Sequence, residues 1–258
     1  MATKVAKIWA SGKAVVNGWL AIPSGFSAEV MAQCGFDSVT VDMQHGAQDF
    51  QSMLQCFQAM QAHAVTPMVR VPWNEPGIIG KVLDAGAMGV ICPMINTKKE
   101  AEAMVTACKY PPLGARSNGP FRAGMYGEAT SYQSTANAET LCIPMIETKE
   151  AVKNIDAILD IEGIAGIYVG PSDLGLSYGL VPKLNRDEPI ILKAYEKILK
   201  ACQKRGIYAG IHTGGSADAA NCISLGFRLV TLMNDSGMMA TFAKTCIGET
   251  RKASKGVA

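Results

Sequence analysis

The sequence predicts an α/β fold, a (β/α)8 TIM barrel forming a single domain over residues 1–258, and three observations predict it. Eight short β-type runs recur along the 258 residues with helical segments between them. Most of these runs are near-continuously apolar, as parallel strands covered on both faces must be. Five times a helical segment gives way to Gly and then a strand: CGFDSV, AGAMGV, EGIAGI, RGIYAG and LGFRLV. Glycine at that junction serves as the left-handed helix C-cap. Eight alternations in about 250 residues suit a barrel. A doubly wound sheet would want a Gly-rich phosphate loop after its first strand. Here that strand ends in AIPSGFS, which lacks the G-x-G-x-x-G spacing.

The strands are expected near 17–22, 38–42, 66–71, 88–94, 141–147, 165–170, 207–212 and 228–233. Helical signals fill the gaps between them. Ser27 begins SAEVMAQ, and Asp49–His63 carries apolar spacing at Phe50, Met53, Leu54 and Phe57. Glu75–Pro76 opens a helix closing at Ala85–Gly86, and Thr97 caps KKEAEAMVTACKY before Pro111–Pro112. Thr148 caps KEAVKNIDAIL, Glu188–Pro189 opens a long helix ending at Arg205–Gly206, and Ser216 caps ADAANCISLG. Residues 113–140 break the alternation as a polar, Gly-rich loop insert, and residues from roughly 236 to 258 read as a C-terminal helical extension.

Composition excludes several classes of function. A net charge of +2 with no basic run leaves no electrostatic footprint for nucleic acid or an anionic membrane. No run approaches the ~18 apolar residues of a membrane span, and the N-terminus lacks a signal-peptide pattern. Eight cysteines without a C-x-x-C pair read as reduced, mostly buried thiols, so the chain is expected to be cytoplasmic.

Barrel enzymes place their chemistry at the C-terminal ends of the strands. Those positions hold Ser24, His45, Arg70, Asn96, Glu147, Asp173, His212 and Asn234–Asp235. Glu147 and Asp173 follow adjacent strands and are expected to converge on a hard divalent cation such as Mg²⁺ or Mn²⁺. The bland alternative is a helix cap and a lysine pair. The backbone N–H groups of Ser172 and Asp173 stand at a helix N-terminus suited to a substrate carboxylate. Arg70 is placed to hold a developing oxyanion, or else to form a rim salt bridge. His45, beside Asp42 and Gln44, has the pKa range (near ~6.5) to move a proton at neutral pH. His63 reads as structural, and His212 as either a substrate contact or a packed histidine. No Lys stands at a strand end, which argues against a Schiff-base mechanism.

VDMQHG, VRVPWNEP, VLDAGAMGVICPMI, YPPLGARS, IETKEAVKNIDAILDIEGIAGIYVGPSDL and AGIHT together resemble the HpcH/HpaI class II pyruvate aldolase family over roughly residues 15–245. The resemblance implies a metal-dependent carbon–carbon lyase joining pyruvate or hydroxypyruvate to an aldehyde, with Mg²⁺, Mn²⁺ or Co²⁺ as cofactor. It implies that His45 is the acid/base, Arg70 the oxyanion stabiliser, and Glu147 with Asp173 the metal ligands. It also implies that Ser172 and Asp173 anchor the substrate, and that Asp84 raises the basicity of the histidine. Asp84, however, is read at the far end of its own barrel, so its support would cross a subunit boundary, and Asp42 is the local alternative. Gln44 replaces a frequent Glu, Met145 a substrate-binding Gln, and Ser172 an Ala. Decarboxylation of an oxo diacid, or a related lyase reaction, is the main alternative activity. A non-catalytic binding protein on the same scaffold is a lesser one. The resemblance further implies a homohexamer, a trimer of dimers with exchanged C-terminal helices. Phe121, Tyr126, Tyr132, Arg116 and Arg122 suit the insert to a subunit contact over a neighbour's active-site mouth, where it would help select the aldehyde.

Overall fold

The computed structural model describes residues 3–126 and 132–254. Residues 127–131 of the insert and 255–258 of the extension lie outside the described residues. Strands β1 (Val15–Leu20), β2 (Ser38–Asp42), β3 (Thr66–Arg70), β4 (Gly89–Cys92), β5 (Leu141–Ile146), β6 (Gly166–Val169), β7 (Tyr208–Thr213) and β8 (Leu229–Leu232) close in sequence order into a barrel. Every neighbouring pair is parallel, including β1 with β8. Each strand lies within two residues of the limits read from the sequence. The five exit glycines, Gly35, Gly86, Gly163, Gly206 and Gly226, all have φ between +65° and +121°. Side chains avoid that region, so glycine marks where each helix turns back into the sheet.

The inner faces of the strands fill the barrel with Val15, Trp19, Met68, Ile91, Ile143 and Tyr168. A larger apolar layer lies between the sheet and the surrounding helices. A polar group also occupies the interior: Asn17, fully buried, donates from Nδ2 to Thr231 Oγ1 at 2.9 Å. Its Oδ1 accepts the hydroxyls of Ser38 at 2.7 Å and Thr40 at 3.1 Å. Six of the eight free cysteines are buried, and Cys34 and Cys246 are exposed.

Several helices differ from expectation. Ser24 rather than Ser27 caps the helix Gly25–Gln33, accepting from the Ser27 N–H. The segment after Thr148 divides into Lys149–Lys153 and Ile155–Leu159. At the break, Asn154 donates from Nδ2 to the Asn96 carbonyl at 2.8 Å. A helix not anticipated, Lys4–Ala10, closes the N-terminal end of the barrel. Its Trp9 stacks on Tyr208 at 4.7 Å and donates from Nε1 to the Arg228 carbonyl at 2.8 Å. Trp9 is 4% exposed. Trp9→Ala is therefore expected to cost about 3–5 kcal/mol in denaturant unfolding. A loss below about 1 kcal/mol would show the helix to be an appendage.

The insert also differs from a simple loop. It contains a helix, Tyr132–Glu139, and a 3₁₀ turn, Ala123–Tyr126. Arg116 and Arg122, expected at a subunit contact, are each 5% exposed within their own chain. Arg116 donates to Asp84 Oδ1 at 2.7 Å and lies 4.5 Å over the Tyr110 ring. Arg122 donates to the Ala85 carbonyl at 2.9 Å and Gln61 Oε1 at 2.7 Å. A desolvated guanidinium needs such partners, and here helix C-termini supply them. The helix Asp235–Ala253 leaves β8 with Asp235 its one buried residue, and Met239 and Phe242 stand open to solvent. Asp235 pins its base by accepting from the Ala21 N–H at 2.8 Å and the Ser27 hydroxyl at 2.9 Å. Among the described residues, no helix is long and apolar enough to cross a membrane.

Candidate active site

The C-terminal ends of β2 and β3 build the basic side of the mouth. Asp42 and Arg70 are register partners on these neighbouring strands, so their side chains emerge together. Arg70 donates from Nε to Asp42 Oδ1 at 2.8 Å and from Nη2 to Oδ2 at 2.6 Å, a two-pronged bond. Trp19, on β1, donates from Nε1 to Asp42 Oδ2 at 3.0 Å, and the guanidinium lies 4.9 Å over the Trp19 ring. Burial works to raise the Asp42 pKa. The bonds to Arg70 and its positive charge, with Trp19 and the His45 N–H, outweigh burial and hold the pKa below the ordinary carboxylate value. Among the described residues, no hydrogen-bond partner occupies Arg70 Nη1.

Asp42 also fixes the turn that carries His45. Its Oδ1 accepts from the backbone N–H groups of Gln44 at 3.1 Å and His45 at 3.2 Å. The turn is tight enough that a Cβ at Gly46 would strike the Asp42 carbonyl. His45 stands exposed at the rim. Asp42 thus holds the His45 backbone and the Arg70 guanidinium, and among the described residues it makes no hydrogen bond to the imidazole. Asp84 is not brought to His45 within the chain. It ends the helix Pro76–Asp84 and pairs with Arg116 near the opposite end of the barrel.

The acidic side follows β5 and β6. Ile146 pairs with Val169, so Glu147 sits beside Gly170, and Asp173 comes three residues later. The two carboxylates are therefore out of register, Asp173 lying in the first turn of the helix Pro171–Ser177, yet the Asp173 charge is close enough to act on Glu147. Glu147 is 3% exposed, and its Oε1 accepts from the Met94 N–H at 2.9 Å. A Cβ at Gly170 would collide with Glu147 Oε2, so glycine there makes room for the carboxylate. Burial raises the Glu147 pKa to about 7; the Met94 N–H opposes this, the Asp173 charge adds to it, and Arg70 lowers it. Two oxygen-donor carboxylates, one buried and destabilised by the other's charge, fit a hard divalent cation that takes its remaining ligands from water and substrate. Among the described residues, no group of three or more His, Cys, Asp or Glu forms a closed cage.

The same helix start offers free donors. Pro171 has no N–H, and the Leu174 N–H is bonded to the Gly170 carbonyl at 3.0 Å. The Ser172 and Asp173 N–H groups stand between them, ahead of that first intrahelical bond. Arg186 holds this turn from behind, donating from Nε to the Pro171 carbonyl at 3.1 Å. His212, on β7, lies edge-on to Trp19 at 5.1 Å with Nδ1 3.0 Å from the Tyr168 hydroxyl. Burial lowers its pKa to about 4; the Arg70 charge lowers it further and Asp42 opposes. Ser24 and Asn234 cap helices, and Asn96 braces its own loop by donating to the Met94 carbonyl. Met145 is 1% exposed in the barrel core. Trp19 and Tyr168, which line this mouth, were not singled out in the sequence; Trp19 shares the inward phase of its strand with the polar Asn17, whereas Tyr168 has only glycine beside it in phase, Gly166.

Comparison with known proteins shows the family of the chain and its fold. The model of the family described as HpcH/HpaI aldolase/citrate lyase matches residues 18–241. A hydroxypyruvate/pyruvate aldolase of Rhizorhabdus wittichii is 36% identical over 249 residues, covering 96% of this chain and 98% of that protein. A 5-keto-4-deoxy-D-glucarate aldolase of Shigella dysenteriae is 34% identical over 224 residues, 86% of this chain and 87% of that protein. Among solved structures, an HpcH/HpaI aldolase/citrate lyase family protein from Burkholderia cenocepacia superposes with a TM-score of 0.89 at 28% identity, covering 96% and 98% of the two chains.

Proposed function

The chain belongs to the HpcH/HpaI aldolase/citrate lyase family, and we infer from that membership and from its site that it is a pyruvate aldolase, a carbon–carbon lyase acting on 4-hydroxy-2-oxo acids. Hydroxypyruvate is read as an alternative donor to pyruvate. The observation that best supports this reading is the facing pair of Glu147–Asp173 and an Arg70 held rigid by Asp42. A divalent cation (Mg²⁺, Mn²⁺ or Co²⁺) bound by Glu147 and Asp173 would polarise the ketone of the oxo acid and stabilise negative charge building there. The Ser172 and Asp173 N–H groups receive the substrate carboxylate. Arg70 Nη1 steadies the oxygen that becomes, or ceases to be, the aldehyde carbonyl. In cleavage His45 takes the proton of the 4-hydroxyl, the bond between C3 and C4 breaks, and the aldehyde departs. The electron pair stays with the three-carbon fragment, which takes a proton at C3 and leaves as pyruvate.

His45→Ala is expected to slow both aldol cleavage and proton exchange at the pyruvate methyl by about 10²–10⁴-fold. Unchanged exchange would remove His45 as the proton carrier. The activity itself is tested by offering pyruvate and hydroxypyruvate to a panel of aldehydes with each metal and identifying the products. Turnover of an oxo diacid with no aldehyde needed would favour the decarboxylase reading instead. We place the chain in a homohexamer, in which Asp84 would reach a neighbour's His45. The eight free cysteines fit the reducing cytoplasm.

A further inference from the structure

A line of polar side chains through the barrel centre takes no part in the steps above. Asn17 receives the Ser38 and Thr40 hydroxyls on Oδ1 and donates from Nδ2 to Thr231 Oγ1. The Tyr168 hydroxyl donates to Thr231 Oγ1 at 2.6 Å, and its oxygen lies 3.0 Å from His212 Nδ1. The phenol proton is assigned to the shorter contact, at Thr231, which leaves the Nδ1–H of His212 to donate to the Tyr168 oxygen. Burial and the neighbouring Arg70 charge keep the ring uncharged. A neutral imidazole protonated at Nδ1 keeps a lone pair on Nε2. One ring edge is fixed by Tyr168 and Trp19, while the residue stays partly exposed near the C-terminal end of β7. Barrel centres are ordinarily filled by branched apolar residues. A buried polar line costs desolvation at every member, so one that ends at a partly exposed imidazole beside the mouth points to recognition.

We propose that the Asn17–Thr231–Tyr168 line holds His212 in one neutral tautomer whose Nε2 accepts a hydrogen bond from a hydroxyl group of the substrate. This rests on the aldolase reading for the identity of that substrate. The hydroxyl has two sources, the 3-hydroxyl of hydroxypyruvate or the 2-hydroxyl of a hydroxyaldehyde. Tyr168, Thr231 and Asn17 are positioning residues, and His212 is the specificity-determining contact.

The chain holds three histidines, so ¹⁵N-histidine resonances of the full-length Mg²⁺-loaded protein can be assigned by loss of one set in His212→Phe. At neutral pH, His212 is expected to be uncharged with its proton on Nδ1. Tyr168→Phe and Thr231→Val, which keep shape, are expected to mix the tautomers. Hydroxypyruvate, or glycolaldehyde added with pyruvate, should move the Nε2 resonance where pyruvate alone does not. His212→Phe should lower the kcat/KM ratio of hydroxypyruvate to pyruvate with one aldehyde, or of glycolaldehyde to acetaldehyde with pyruvate, by about three- to tenfold. The arm that responds identifies the source of the hydroxyl. A charged ring, a proton on Nε2, an unaltered tautomer in Tyr168→Phe, or equal losses for all substrates would overturn the proposal. Absence of any aldol product from the unaltered protein would instead overturn the aldolase reading, with the tautomer and the hydroxyl-dependent shift still legible in the resonances.

Discussion

Glu147→Ala is expected to leave the barrel folded and to reduce metal-dependent turnover on the order of 10²–10³-fold or more, the scale of losing one charge-stabilising partner. Chelation should act likewise, with Mg²⁺, Mn²⁺ or Co²⁺ restoring activity; full turnover in chelator would sink the metal hypothesis. The buried carboxylate also predicts a pH signature. Its pKa is raised from 4.5 to about 7, so the native chain holds that proton to higher pH than the unfolded chain does. Stability of the metal-free protein should therefore fall as pH rises across that window, and level off above it. A cation at Glu147 counters the loss. Mg²⁺ should raise Tm more at about pH 8 than at about pH 5, and Glu147→Gln should erase most of the difference. A metal-induced shift in Tm that is the same at both pH values would contradict this role for the carboxylate.

Arg70→Lys carries the second large effect, a fall in kcat/KM on the order of 10²–10³-fold despite the retained charge. Arg70 spends Nε and Nη2 on the two oxygens of Asp42, which fixes the plane of the guanidinium and the direction of Nη1. An ammonium cannot grip both oxygens while also reaching a substrate oxygen along that direction. It would also lose the contact of the guanidinium carbon with the Trp19 ring, 4.9 Å from the ring centre. Asp42→Asn should weaken turnover through the same fork, by freeing Arg70 and loosening the turn that carries His45. Turnover near that of the unaltered protein in Arg70→Lys would reduce the guanidinium to a rim charge.

What the sequence made legible follows the range of each interaction. Strand limits and exit glycines depend on local preference, and both are found where expected. His45, Arg70, Glu147 and Asp173 were legible because a barrel sends the residues after its strands to one end. The finer roles depend on pairings across the fold. Asp42 reads as a possible partner for His45 until the β2–β3 register sets it against Arg70. Asp84 and Arg116 are 32 residues apart, and the bond between them places both near the far end of their own barrel. The Tyr132–Glu139 helix hides in a polar segment whose single buried residue, Ala136, gives no apolar stripe to read. The relay behind His212 joins β1, β2, β6, β7 and β8, and no window of sequence contains it.

The helix Lys4–Ala10 imposes an order on the making of the molecule. Its Trp9 anchors on the Arg228 carbonyl, 219 residues later, and on the ring of Tyr208. Neither of these two partners exists while the earlier strands emerge from the ribosome, so the seat of Trp9 is completed only by the last two strands, although Lys4 and Val5 meet partners at Phe36, Asp37 and Thr66 much sooner. Until then Trp9 lacks its native cover, an apolar ring of the kind that makes a partly folded chain prone to association. Closure of the barrel and seating of its plug thus become one late event, which ties the two ends of the chain to a single cooperative step.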